Sequence, residues 1–262
     1  MTDRPPQWTE EHARHFQEEA VVELYHLRMP YPPGVFDLLV DLLPTGVSHA
    51  VLDVGTGDGT IARALIDRVD RVDAVDFSPA MLAVARRAPN GEHPRLRWIE
   101  GRAEDVELRP PYGLVVCGDS LAWMDWEIVL PRFARALAPG GKLALVARWE
   151  EQPPWREPLQ ALIERYSVFG EYREADLVAL LAGRGLFREE GRRAFGPEAG
   201  RQRVDDYVLS WHSRAGLARH RMSADDFDAF GAKLRAVVEP YALDGWLELG
   251  TTGRVVWGEA LG

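Results

Sequence analysis

The chain has 262 residues, 41 of them acidic and 31 basic, for a net charge of −10. This length fits one large domain or a domain plus a cap, and is long enough for a real core. The acidic balance argues against affinity for nucleic acid, which rests on basic patches. No apolar run approaches the ~18 residues of a membrane-spanning helix, and the first residues lack the basic-then-apolar layout of a secretion signal. Cys117, the single cysteine, closes neither an internal disulfide nor a zinc site. A cytoplasmic setting without a metal is expected.

An apolar stripe at Phe16, Ala20, Leu24 and Leu27 predicts one amphipathic helix over residues 9–27, with Thr9 as its N-cap. Pro30, Pro32 and Pro33 hold residues 29–34 in an extended turn, since each disfavours helix in the residue before it. A second helix is expected over 35–43, stopping at Pro44. Strands and helices then alternate, with strands over 50–54, 71–76, 96–100, 113–117 and 142–148 and helices over 60–67, 78–87 and 126–137. Ser78-Pro79 opens the second of these helices, serine as cap and proline in the first turn. Pro139-Gly140-Gly141 ends the third. Such alternation implies right-handed crossovers and a parallel sheet covered on both faces.

The pattern changes at Gln152-Pro153-Pro154. Helices are expected over 157–168, 173–183, 205–211 and 224–238, and strands over 186–195 and 247–257. Residues 151–240 are expected to add a helical cap over the carboxyl edge of the sheet. Residues 184–221 hold nine arginines against five acids. That reads as a solvated face, or as a rim that attracts an anionic substrate.

Residues 51–60 carry the strongest signal. The apolar strand is interrupted only by Asp53 and breaks into Gly55, Gly57 and Gly59 before a helix. Strand, glycine turn and helix bring backbone close to a ligand. The spacing is D-x-G-x-G-x-G, not the G-x-G-x-x-G of a dinucleotide fingerprint. Ligands of open α/β sheets sit beyond the carboxyl ends of the strands, and three more loops are expected there. Asp76 ends the second strand, 19 residues beyond Gly57, where a carboxylate accepts ribose hydroxyls; a cap on the next helix is the lesser alternative. Phe77 and Met81 follow it. Glu100-Gly101-Arg102-Ala103-Glu104 follows the third strand, as a ligand turn or a surface turn. Cys117-Gly118-Asp119 leads to Trp123 after the fourth. Asp119 there orients a substrate, takes its proton, or caps.

In order and spacing these loops resemble the class I S-adenosylmethionine (SAM) dependent methyltransferases over residues 48–148, with Ala136–Leu143 as a further shared turn. Tyr25–Pro32 resembles a segment of small-molecule members related to the ubiquinone and trans-aconitate methyltransferases. The resemblance implies a Rossmann-like α/β fold: a mostly parallel, seven-stranded sheet with an antiparallel last strand and a helical cap. It implies a single domain over 1–262. Residues 1–47 form N-terminal helices, 48–149 the SAM-binding core, 151–240 a partly inserted substrate cap, and 244–258 the final strand. It implies SAM as cofactor, held by Asp53, Gly55, Thr56, Gly57, Asp58, Asp76, Phe77, Met81, Arg102, Ala103, Glu104, Cys117, Gly118 and Arg28. Arg102 stands where many members have an acid, and Ala122 where many have histidine.

The expected reaction is in-line methyl transfer to an oxygen, nitrogen or carboxylate of a small molecule. Such a reaction needs positioning more than a strong catalytic motif. Tyr25, His212 and Asp119 are the catalytic candidates. Trp123, Trp149, Trp211 and His26 are candidates for the acceptor pocket, though large aromatics on element ends also serve as core. Two other readings are a nicotinamide-dependent oxidoreductase, which shares the sheet and Asp76, and a non-catalytic SAM- or nucleotide-binding protein. No nucleic acid or membrane partner is expected, and neither the acceptor nor the oligomeric state can be read from the residues.

Overall fold

Five buried residues, Ala50–Val54, form the central strand of a computed structural model that describes residues 4–47, 49–168 and 175–262. Before that strand come α1 (Glu10–Ala13), α2 (Glu19–Tyr25) and α3 (Pro33–Asp41). Then β1 (Ala50–Val54), α4 (Thr60–Leu65), β2 (Arg71–Asp76), α5 (Pro79–Arg87), β3 (Leu96–Glu100) and β4 (Tyr112–Gly118) alternate. They are followed by α6 (Trp126–Ala136), β5 (Leu137–Glu150), α7 (Arg156–Tyr166), α8 (Leu177–Gly183) and β6 (Phe187–Arg203). The chain finishes with α9 (Val204–Ser210), α10 (Ala224–Val238) and β7 (Trp246–Ala260).

The strands form one sheet in the order β3-β2-β1-β4-β5-β7-β6. Pairings from β3 through β5 are parallel, and β7 runs antiparallel to both β5 and β6. The expected sheet and its reversed last strand are present. Alternate residues of β1 face opposite sides: Leu52 and Val54 enter the core with Trp126 and Phe133, and Val51 the core with Leu39 and Leu65. Strands buried on both faces read as continuous apolar runs for this reason. The order reverses at β1, so the crevice between the ends of β1 and β4 is the place for a ligand.

A third core lies off the sheet. Trp155 and Leu159 pack there with Tyr207, Phe230, Leu234, Leu247 and Leu249. These come from the start and body of α7, from α9 and α10, and from the outer end of β7, so these elements share an apolar interior of their own.

Three expectations differ from the fold. The N-terminal helix is broken at Glu18, whose backbone is extended at φ −75 and ψ 121. The break leaves the Phe16 carbonyl free to accept the Ser78 hydroxyl at 2.7 Å; an unbroken helix would use it internally. Strand β5 starts at Leu137, because α6 stops short of the Pro139 turn. Strand β6 runs on to Arg203, pairing with β7 down to Trp246. Cross-strand contacts such as Arg201 to Glu248 at 3.0 Å support this polar ribbon, which reads as loop in sequence. The start of the helix expected over 173–183 falls outside the described residues, and α8 covers its end. No helix among the described residues is long and apolar enough to cross a membrane.

Candidate functional site

A cavity of about 360 Å³ opens at the carboxyl ends of β1 to β4. Its floor is the glycine loop. Gly55 and Gly57 have φ of +66 and +58, the left-handed region that glycine enters without cost. A Cβ on Gly55 would lie 2.4 Å from Ser120 Cβ, so only glycine lets this turn pass under the fourth loop. A Cβ on Gly57 would meet nothing nearer than Tyr25 Oη, at 3.9 Å; its backbone faces open space.

The polar residues around the loop do not all face that space. Asp53 is buried and takes the Thr56 hydroxyl at 2.6 Å and the Ala62 amide at 3.1 Å. Burial pushes its carboxyl up to about 7. Asp53 and Thr56 brace the loop from behind and line no cavity. Asp58 is turned to the start of α4, where it accepts from the Thr60 hydroxyl at 2.7 Å. The Asp53, Thr56 and Asp58 side chains hold the turn, and none of the three lines this cavity. A carboxylate near the end of a buried strand needs such partners.

Asp76 does line the cavity. Its Oδ2 accepts the Gly57 amide at 2.7 Å and its Oδ1 the Ser78 amide at 2.8 Å. Burial raises its pKa above the usual carboxylate range. Ser78 rather than Asp76 caps α5, through the Met81 amide. Phe77 and Met81 add apolar wall, and Arg102, Ala103 and Glu104 form the wall after β3. Glu104 accepts the Asp125 amide at 2.9 Å, with Arg102 3.6 Å away.

The loop after β4 closes the far side. Gly118 lies under Tyr31, whose hydroxyl donates to Asp119 Oδ2 at 3.0 Å. Asp119 is itself at φ +53. Burial raises its pKa, while Arg148 and the Tyr31 bond hold it back. Gly118, Asp119 and Trp123 line the cavity, but Cys117 points into the sheet core, where burial pushes its thiol well up. The Cys117 side chain thus lies outside this cavity.

The N-terminal segment forms the roof. Phe16, Gln17 and Tyr25 line the cavity. The roof is fastened on two sides. Gln17 donates to the Phe77 carbonyl at 3.1 Å, and Arg4 donates to the carbonyls of Ala122 at 2.5 Å and Met124 at 2.9 Å. Sequence reasoning missed Phe16 and Gln17, because the helical stripe assigned Phe16 to the core. Glutamine and serine spacing carries no signal for bonds that join positions 60 or more residues apart.

A second cavity, about 220 Å³, adjoins the first and shares Asp119 with it. Arg28, Trp149 and Arg214 line it. Arg28 thus belongs to this cavity rather than to the first. Trp211 supports it from behind, its ring 3.7 Å from the Arg214 guanidinium carbon. His212 and His26 line neither. His212 is buried in the cap, bonded to the Leu217 carbonyl at 2.7 Å and stacked 4.0 Å from Phe227. His26 is exposed and bonded to the Glu23 carbonyl in its own turn. Neither imidazole lines either of these two cavities. Among the described residues no group of three or more His, Cys, Asp or Glu could hold a metal ion.

Residues 51–141 match the family model described as a methyltransferase domain. An uncharacterized methyltransferase of Mycobacterium tuberculosis is 35% identical over 142 residues, covering 53% of this chain and 54% of that one. Trans-aconitate 2-methyltransferase of Methylobacterium nodulans is 29% identical over 161 residues, covering 55% and 61%. The matches span little more than half the length of these relatives. A candidate type II methyltransferase from Anaeromyxobacter dehalogenans has the same fold at a TM-score of 0.63 and 22% identity, covering 88% of this chain and 97% of that one. The likeness to methyltransferases is therefore carried by residues 51–141, which are similar to a methyltransferase domain.

Proposed function

We propose that this chain binds SAM in the first cavity and transfers its methyl group to a small molecule that enters beside Asp119. One observation carries the reading: a single cavity gathers the Gly55–Gly57 loop, Asp76, the Arg102–Glu104 turn and Asp119, each after a different parallel strand.

The donor set fits SAM. Asp76 is positioned by two amides and faces the cavity, so it meets ribose hydroxyls. Met81, Ala103 and Phe77 offer apolar surface to a flat base. Gly55 and Gly57 leave backbone accessible to an amino-acid tail, and Gly118 leaves room for Ile61 and Tyr31 to pack against the fourth loop. SAM supplies a methyl group on a positively charged sulfur that leaves readily.

Gly118, Asp119 and Trp123 would hold an acceptor's lone pair in line with that methyl group. The chain's residues position and exclude water. The roof of Phe16, Gln17 and Tyr25 covers the cavity, and holding two reactants in line is worth ~7–11 kcal/mol in favourable cases. An acceptor that loses a proton on attack gives it to Asp119, whose raised pKa suits a base. A carboxylate acceptor needs no base. Tyr25 stands across from the glycine loop as the second catalytic candidate. The Methylobacterium nodulans relative, named for a small-molecule acceptor, supports the substrate scale.

Calorimetric titration with SAM, its demethylated product S-adenosylhomocysteine (SAH) and NAD tests the cofactor. Micromolar binding of the first two, with none of NAD, is expected. Binding of NAD alone overturns the reading. Release of SAH over a metabolite panel then tests turnover.

A further inference from the structure

We propose that the second cavity seats an anionic group of the methyl acceptor, a carboxylate or a phosphate, between Arg28, Arg148 and Arg214. This rests on the reading of the first cavity as the SAM site, because the two meet at Asp119. A molecule filling the second cavity reaches the first at that carboxylate.

Three cations converge from three parts of the fold: Arg28 after α2, Arg148 on β5 and Arg214 beyond α9 in the cap. Each lies over an aromatic face, Arg28 on Tyr25 at 4.3 Å, Arg148 on Tyr31 at 4.4 Å and Arg214 on Trp211 at 3.7 Å. Stacking fixes the guanidinium planes and leaves their edges, the donors that grip carboxylate or phosphate in pairs. Some edges are used. Arg28 donates to the Ser213 hydroxyl and carbonyl, and Arg214 to the Ser210 carbonyl. Among the described residues none of the three forms an ion pair, and the Arg148 guanidinium donates no hydrogen bond.

The two local carboxylates bond to tyrosines rather than to the guanidinium groups. Asp119 and Glu150 line the cavity, but Asp119 is bonded to Tyr31 and Glu150 takes the Tyr207 hydroxyl at 3.0 Å. Burial raises the pKa of both, and the neighbouring arginines hold it back. Arg214 is pushed down to about 10 by burial and then by Arg28. Three guanidinium groups thus share this cavity with two carboxylates, and neither carboxylate is within ion-pair distance of them.

Thr251 is the independent observation. It is 2% exposed, lines this cavity, and its hydroxyl has no hydrogen-bond partner. A buried hydroxyl without a partner is costly, and a ligand oxygen in the cavity would satisfy it.

The test is calorimetry with tricarballylate, glycerol 3-phosphate and glycerol, on the protein alone and on the SAH-loaded protein. At least one anion is expected to bind and glycerol is not; which anion binds separates carboxylate from phosphate. Arg148→Gln and Arg214→Gln each lower anion affinity about tenfold, the worth of one charge-assisted hydrogen bond, with SAH affinity unchanged. Thr251→Val, which keeps the packing, lowers anion affinity several-fold with no loss of Tm. Three results overturn the proposal: anions bind no better than glycerol, the variants bind anions as well as the original chain, or the arginine variants lose SAH instead. The last result makes the arginines ligands of the cofactor's own carboxylate. If SAH fails to bind the original chain, the methyltransferase reading falls, while the titrations without SAH still judge the pocket.

Discussion

The Tyr31 hydroxyl donates to Asp119 Oδ2 at 3.0 Å, joining residues 88 positions apart at the seam of two cavities. The bond favours the ionised carboxylate and so opposes the rise that burial causes. In Tyr31→Phe the Asp119 pKa therefore rises further. A base works only when ionised, so activity is lost at a higher pH as the solution is acidified. The acid limb of the pH–rate profile is expected to move up by about one unit, since a unit corresponds to 1.36 kcal/mol and a bond to a charged group is worth about 1.5–3 kcal/mol. SAM affinity stays as it was. An unmoved acid limb removes Asp119 as the base.

Asp76→Asn replaces one of two accepting oxygens with an amide that faces the Gly57 or Ser78 N–H. A buried donor is then left without a partner, at a cost of about 1–3 kcal/mol. SAH affinity is expected to fall at least tenfold, and calorimetry reads it directly. Unchanged affinity means that Asp76 organises the loop without meeting the ligand.

The two loop glycines separate strain from collision. Alanine at either position is held at positive φ, which costs about 1–2 kcal/mol. Gly55→Ala adds a Cβ 2.4 Å from Ser120 Cβ, whereas Gly57→Ala meets nothing nearer than 3.9 Å. Urea unfolding should show Gly55→Ala less stable than Gly57→Ala by about 1–3 kcal/mol, the usual cost of overpacking. Equal losses would mean that the fourth loop shifts freely.

His15 makes the roof sensitive to acid. It is 2% exposed, and burial pushes it down from 6.5 to about 4. Between those values the unfolded chain binds a proton that the folded chain refuses, so stability is lost as pH falls through that window. From pH 7 to pH 5 the original chain should lose about 2 kcal/mol relative to His15→Gln. Parallel pH profiles for the two proteins contradict this.

Much of the sheet was legible because its strands are buried on both faces and separated by glycine and proline. The pattern from β1 to β5 placed Gly55, Gly57, Asp76, Ala103 and Asp119 at strand ends, and each lines the first cavity. Direction was not legible. Asp53, Asp58 and Cys117 sit in the same motifs, yet Asp53 and Asp58 turn to backbone and hydroxyl donors and Cys117 to the core. His212 and His26 show the limit for isolated residues, since an imidazole reads alike in a cap core, in an exposed turn or in a site.

The amino-acid sequence by itself determined the order of elements, the glycine turn and the acidic strand end after β2. These depend on spacing within a few residues, where backbone conformation and burial period act. Only the tertiary structure decided that Arg28, Arg148 and Arg214 face one cavity with the unpartnered Thr251 hydroxyl. They lie on separate elements, and no local pattern records how a cap closes over a sheet. Charge that is scattered along the chain becomes a site only through that packing.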